Sequence, residues 1–343
     1  MIQELVCTAP RALAWRASAD PVPGPGEVLV RTRHGAEKHG TMQAFYQGYG
    51  NARGRWDGAA GMHRPTEGMS WEWPIPLGNM VSGTVAAVGS GVTAHAVGDS
   101  VFGFSAFKAL AVMPAARCWK LPATVPWQTA MCLDPALFAL SAVRDGKVRV
   151  GDVVAVFGLG AIGLLTVQMA QIAGATVIAI DPVARRRELA TGFGAAHVID
   201  PAVPGADPGA RLRELGAGRG CDVCIDFSGS HRALQAALRG VAFGGTVVAG
   251  AFPAPYPAGL DFGGEAHMNR PDLVFSRGCS DPSRDHPRWN EQRLEQTCLD
   301  LIYSGRIDGV PIISPVIPAS DLLEHYPLIA ADLHANVKLG VTF

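Results

Sequence analysis

One stretch constrains the fold more than any other: GDVVAVFGLGAIGLLTVQMAQIAGATVIAIDP, residues 151–182. An apolar run, VVAVF, is followed by three closely spaced glycines, a longer apolar segment without a breaker, and a second short run, TVIAI. Short runs rich in valine and isoleucine suit buried strands, whereas the longer leucine-, alanine- and glutamine-containing run suits a helix. Strand, turn, helix and strand in about 30 residues form the unit that builds a parallel sheet. Further units follow in AAHVID, in CDVCIDFSGS with HRALQAALRGV, and in GGTVVAGAF. The middle of the chain therefore reads as doubly wound α/β.

The flanks read differently. GEVLVRTRH (26–34) alternates as a strand, and GTVAAVGSGVTAHAVGDSVFGF (83–104) reads as short strands joined by glycine turns. WNEQRLEQTCLDLIYSG (289–305) has helical spacing, and VKLGVTF near the end reads as a strand. At 343 residues, 48% hydrophobic and 17% charged, the chain can bury two cores. A net charge of −1 gives no reason to expect nucleic acid or an anionic membrane as partner. No signal peptide and no apolar run of about 18 residues is seen. Seven scattered cysteines suit reduced thiols in a cytoplasm. The CDVC at 221–224 is expected to be core rather than a redox or metal pair, its two side chains pointing to opposite faces of a strand.

GLGAIG places Gly158, Gly160 and Gly163 in G-x-G-x-x-G spacing, with Ala161 and Ile162 between. The motif follows a strand and opens a helix, which is the context it needs. The first glycine permits the tight turn, the second lets backbone approach a pyrophosphate, and the third lets helix and strand pack closely. Asp181, 23 positions after Gly158, ends the second strand. A carboxylate there accepts the adenosine ribose hydroxyls and repels a 2′-phosphate, which favours NAD over NADP. Arg185, Arg186 and Arg187 blur that preference, although arginines opening such a helix usually face solvent or lie over the adenine; Arg186 is taken as a cofactor contact.

The order of these parts resembles the medium-chain dehydrogenase/reductase superfamily over essentially the whole chain. GEVLVRTR, GTVAAVGSGVTAHAVGDSVFGF, VRVGDVVAVFGLGAIGLLTVQMAQIAGA and IDPVARRRELATGFGA carry the resemblance. It implies a GroES-like β-rich catalytic domain, residues 1–137 and 307–343, with a Rossmann coenzyme domain, residues 138–306, inserted. It also implies a small-molecule substrate in the cleft between them and a homo-oligomer, dimer or tetramer. Ser228, Gly250 and Ala251 fall where relatives pass the nicotinamide side of the cofactor, and Lys338 where they place a basic residue that reaches the pyrophosphate.

Most alcohol and polyol dehydrogenases of this family bind a catalytic zinc. Here Lys38 takes the position of the first, cysteine ligand, and His39 keeps the histidine after it. The usual Gly-His-Glu triplet reads Gly78-Asn79-Met80, and the third-ligand position falls on Asp134. An ammonium, an amide and a thioether make a poor set for zinc, which prefers Cys, His and carboxylate donors. The four-cysteine lobe of structural zinc is also missing, since no cysteine lies between Cys7 and Cys118. The chain is therefore expected to hold no catalytic or structural zinc. It is similar to the bacteriochlorophyllide dehydrogenase-like branch in Gly40-Thr41 and in the long separation of Lys38 from Asn79.

Without zinc, hydride transfer to or from a secondary alcohol needs a positioned acid/base and hydrogen-bond donors. Lys38, His39, Thr41, Asn79 and Asp134 are the candidates. Lys38 reads either as the group facing the reacting oxygen or as a structural ion pair with Asp134 or Glu37. His39 reads as a cofactor contact and relay or as a surface histidine. The insertion FYQGYGNARGRWDGAAGMHRPTEGMSWEWPIP is rich in aromatic rings, of which Tyr46, Tyr49, Trp56 and Trp73 are candidates for a wall against a cyclic, sugar-like substrate. The same rings could instead anchor the loop. Two other activities fit the motifs: an enoyl- or quinone-type reductase, against which Asp181 weighs, and a non-catalytic dinucleotide-binding protein.

Overall fold

The computed structural model describes residues 2–48, 54–65, 72–253, 255–257, 259–332 and 336–343; for Ile2, Ser18 and His39 it describes the backbone only. The chain divides into two units, Met1–Met131 with Ile313–Phe343, and Cys132–Ile312. Asp134, expected from sequence in the first unit, falls in the second.

In the first unit the strand Glu27–Ala36 is the organiser. It pairs antiparallel with Gly78–Val88, Leu110–Pro114 and Lys338–Thr342. Its alternation sends Val28 and Val30 inward, both fully buried, against Val81, Val85, Val101 and Met113. A second cluster lies around Leu5, Cys7, Met42, Tyr46, Phe107, Tyr326 and Leu339. Immediately after the organising strand comes a helix that the sequence reading did not anticipate, His39–Gln47. Met42 and Tyr46, one helical turn apart, are both buried in that second cluster. Gly48 ends the helix in the left-handed conformation, φ 75°, where a side chain would be strained. The aromatic insertion thus begins as helix and continues, among the described residues, as the short hairpin Arg55–Asp57 with Met62–Arg64.

The second unit meets the doubly wound expectation. Among the described residues, six parallel strands run in the order His197–Ile199, Thr176–Ile180, Val153–Phe157, Cys221–Asp226, Val241–Ala249, Asp272–Phe275. Counted along the chain this is 3-2-1-4-5-6, with the switch point between Val153–Phe157 and Cys221–Asp226. Phe157 pairs with Ile180 on one side and Asp226 on the other, so these strands end level at one edge of the sheet. The helix Ala161–Ile172 returns over the sheet with an unbroken buried run from Gly163 to Ala170. No helix among the described residues is long and apolar enough to cross a membrane.

Cys221 and Cys224 are both fully buried in the core of this unit, as expected, but not on opposite faces. Pairing with Val241–Ala249 shifts register between Cys221 and Val223, so twofold alternation does not carry across the pair. A hydrogen bond between the two thiols, and then burial, push Cys224 well above its ordinary value. None of the seven cysteines forms a disulfide.

Candidate active site

The glycine turn has a separate physical reason at each glycine. Gly158 sits at φ +83°, and a Cβ there would lie 2.5 Å from the Ser228 nitrogen. A Cβ on Gly163 would lie 1.9 Å from the Gly158 carbonyl oxygen, so only glycine lets the helix close on the strand. Around Gly160 a Cβ would meet nothing within 4 Å, so the backbone is open on that side. Gly160 caps the helix without a side-chain hydrogen bond. The first-turn N–H groups, including those of Ala161 and Ile162, and the positive end of the helix dipole suit a pyrophosphate. The residues present fit a dinucleotide.

Asp181 is 3% exposed and ties the second strand to this turn. Its Oδ2 accepts the Leu159 N–H at 2.7 Å and its Oδ1 the Val183 N–H at 2.8 Å. A carboxylate offers about four lone-pair sites, so capacity remains for ribose hydroxyls. Of the two places expected for the arginines of this helix, solvent or over the adenine, solvent does not hold for Arg186 and Arg187, which are half-buried. Arg186 Nη1 lies 3.8 Å from Asp181 Oδ2, and Arg187 donates to the Asp181 carbonyl (2.7 Å) and pairs with Asp200 (2.9 Å). Arg185 is exposed.

At the fourth strand's end the sequence reading found Ser228 but missed Asp226. Asp226 Oδ1 accepts both the Ser228 N–H (2.8 Å) and the Ser228 hydroxyl (2.6 Å), and Ser228 Oγ accepts the Ser230 N–H at 3.1 Å. The serine hydroxyl is thus engaged inside its own turn, and the turn packs on Gly158. Burial pushes the Asp226 carboxyl above its ordinary value, with the Ser228 hydrogen bonds opposing. A chemistry-bearing residue ending a buried strand, as in CIDFSGS, was the signal available. Gly250 is needed because a Cβ would lie 2.5 Å from the Phe227 ring; Ala251 beside it is half-buried.

In the other unit, Lys38 is half-buried and occupies the N-cap of His39–Gln47, with φ −98° and ψ 86°. Thr41 in the first turn is exposed. Glu37, before Lys38, is fully buried and held by the last described strand. Its N–H donates to the Leu339 carbonyl at 3.0 Å, its Oε1 accepts the Leu339 N–H at 3.2 Å, and its carbonyl accepts Lys338 Nζ. Lys338, the expected pyrophosphate contact, is 2% exposed and has its ammonium inside this unit. Tyr326 is fully buried; burial first, then the Glu37 charge, raises its hydroxyl far above the ordinary value.

Asn79 lies on Gly78–Val88 opposite Ser105, and its Nδ2 is buried without a hydrogen-bond partner. Met80 beside it is fully buried core. A lysine ammonium has no lone pair to give, the amide is a weak donor and the thioether is packed away, so these residues do not fit zinc. Among the described residues there is no group of three or more His, Cys, Asp or Glu that could hold a metal ion. Asp134 is 7% exposed in the first turn of Leu133–Asp145, in the coenzyme unit.

The aromatic candidates separate. Tyr46 is 5% exposed and edge-on to Tyr326 at 5.1 Å, so its ring packs the core instead of walling a site. Trp73 is half-buried against the same cluster, with Nε1 buried and without a partner. Trp56 is 57% exposed on the hairpin, edge-on to His63 at 5.1 Å. Tyr49 lies outside the described residues.

Residues 24–123 match the alcohol dehydrogenase GroES-like domain family, and residues 161–284 the zinc-binding dehydrogenase family. The chain is 40% identical to D-guloside 3-dehydrogenase of Escherichia coli K12, over 100% of both chains. Its fold is similar to that of 2R,3R-butanediol dehydrogenase from Bacillus subtilis, with TM-score 0.79 and 21% identity over 100% of both chains. It is also similar to an E. coli CFT073 alcohol dehydrogenase complexed with NADH, with TM-score 0.79 and 20% identity over 100% of this chain and 99% of that one.

Proposed function

The chain belongs to the medium-chain dehydrogenase/reductase superfamily, and from that premise we propose that it is an NAD-dependent, zinc-independent dehydrogenase. Its substrate is a secondary ring hydroxyl, or the corresponding ketone, of a glycoside or related polyhydroxylated ring. The observation that carries this reading is the full-length, 40% likeness to a D-guloside 3-dehydrogenase. It acts in the cytoplasm as a homo-oligomer on a small molecule, without nucleic acid or membrane.

The bound cofactor supplies the hydride acceptor, or donor, at its nicotinamide ring. The turn at Gly158, Gly160 and Gly163 holds the pyrophosphate on backbone N–H groups. Asp181 accepts the adenosine ribose hydroxyls, and its negative charge disfavours a 2′-phosphate. Lys38 faces the reacting oxygen: as the neutral amine it takes the hydroxyl proton when an alcohol is oxidised, and as the ammonium it returns that proton to the ketone oxygen in the reverse direction, with His39 and Thr41 passing the proton to and from solvent. The Asn79 Nδ2, buried and lacking a protein partner, donates to the substrate oxygen.

The test is turnover of a panel of glycosides and polyols with NAD and with NADP, followed by nicotinamide absorbance, on protein whose zinc content is measured. NAD-dependent oxidation without stoichiometric zinc is expected. Lys38→Ala should lower kcat about 10²- to 10⁴-fold and leave NAD affinity unchanged. One zinc per chain, or full turnover in Lys38→Ala, would sink the reading.

A further inference from the structure

The helix that begins at Lys38 does not encode its own start. It has no side-chain N-cap and no acidic residue in its first turn, and at nine residues it is too short to be stable by itself. Its first backbone bond, Met42 N–H to the Lys38 carbonyl at 2.8 Å, fixes the helix relative to Lys38 but leaves open where Lys38 itself points. The residue before it is held from outside the helix. Glu37 is bound through its N–H, its carbonyl and its carboxylate, and the three named partners belong to two consecutive residues, Lys338 and Leu339. The side chains involved are desolvated: Glu37 is 0% exposed, Lys338 2% and the neighbouring Tyr326 0%. Burying a carboxylate and an ammonium is costly, and a hydrophobic pair of similar volume often stabilises a fold as well or better. What the two polar side chains provide that apolar ones do not is a directional grip: the Lys338 ammonium holds the Glu37 carbonyl, immediately before Lys38, and the Glu37 carboxylate holds the Leu339 N–H.

We propose that Glu37, clasped by Lys338 and Leu339, is the positioning residue for Lys38. The inference rests on the reading of Lys38 as the acid/base. The clasp holds both sides of the Glu37 residue along the backbone, so the Lys38 ammonium enters the site from a fixed direction, and a displacement of about 1 Å at such a group costs up to about 10²-fold in rate.

The test is a double-mutant cycle on the full chain with Lys338→Met, Lys38→Ala and the pair, reading kcat, substrate KM, NAD dissociation constant and melting temperature. Lys338→Met should lower kcat about 10- to 10²-fold with KM and NAD affinity unchanged. In the Lys38→Ala background it should cause no further loss, because there is no longer an ammonium to position. Glu37→Met, which keeps the length of the side chain and removes the acceptor for the Leu339 N–H, runs the same cycle if Lys338→Met does not fold. Additive losses would make the clasp merely structural and overturn the inference. A fall in NAD affinity on Lys338→Met would overturn it too, by assigning Lys338 to the pyrophosphate. Unaltered turnover in Lys38→Ala alone would sink the reading of Lys38 itself, which additivity would leave standing.

Discussion

Two segments of this protein do the same job by opposite means. Each ends a strand and starts a helix: Val153–Phe157 into Ala161–Ile172, and Glu27–Ala36 into His39–Gln47. Neither helix has a capping side chain. In the first, three glycines fix the path, because backbone meets backbone at Gly158 and Gly163. In the second, the path is fixed from a strand 301 residues away, through the Lys338 ammonium and the Leu339 backbone. The first turn leaves its N–H groups available to a ligand whose shape is constant, the pyrophosphate. The second carries Lys38 at its N-cap, directly after a residue whose hold is tertiary. A local solution ties the glycine turn to its own neighbours, and a long-range one lets the Lys38 segment change without disturbing that turn.

The largest expected effect tests the local side. Gly163→Ala puts a Cβ 1.9 Å from the Gly158 oxygen, so helix and strand must separate. NAD binding should vanish from a fluorescence titration, and stability should fall by about 1–3 kcal/mol in a melt. Retained binding would break the claim that this turn is fixed by backbone contact.

Asn79→Ala tests the other side at intermediate size. Its Nδ2 has no partner to lose, so stability should hold within about 0.5 kcal/mol or improve. Meanwhile kcat/KM should drop about tenfold, the worth of one hydrogen bond to substrate. A stability loss with unchanged kinetics would make the amide structural.

The smallest effect asks whether the coenzyme unit is itself free of functional cost. Burial raises the Asp226 carboxyl, so the folded chain binds that proton more tightly than the unfolded one. Its contribution to stability is present below the unfolded value of about 3.9 and is lost as pH rises through the higher folded value. Asp226→Asn keeps the acceptor for Ser228 and removes the charge. Melting across the acid-to-neutral range should show a flatter decline with rising pH than the parent, and a gain of up to about 1 kcal/mol at neutrality. A steeper decline in the variant would reverse the sign.

What could be read from the sequence follows the same division. Gly158, Gly160, Gly163 and Asp181 were legible because one unbroken stretch of chain carries strand, turn and helix. The substitutions at Lys38 and Asn79 were legible as departures from a familiar pattern. The helix His39–Gln47 was not, because Gly40 and the missing cap mask its apolar spacing of Met42, Phe45 and Tyr46. Tyr46 was read as a loop ring for the same reason, and the structure buries it against Tyr326. The common face of Cys221 and Cys224 depends on a register shift against a neighbouring strand, which no local period reports. The grip of Lys338 on Glu37 pairs residues with no shared local pattern.

That grip also sets an order of events during synthesis. The coenzyme unit, Cys132–Ile312, is complete on the ribosome before Lys338 is made. At about 5–20 residues per second, the interval between residues 37 and 338 is on the order of 15 to 60 s. For all that time the nascent chain has Glu37 but not the residues that hold it. The turn at Gly158 is closed by residues already made when Lys338 appears, whereas the Glu37 carbonyl must wait for that lysine.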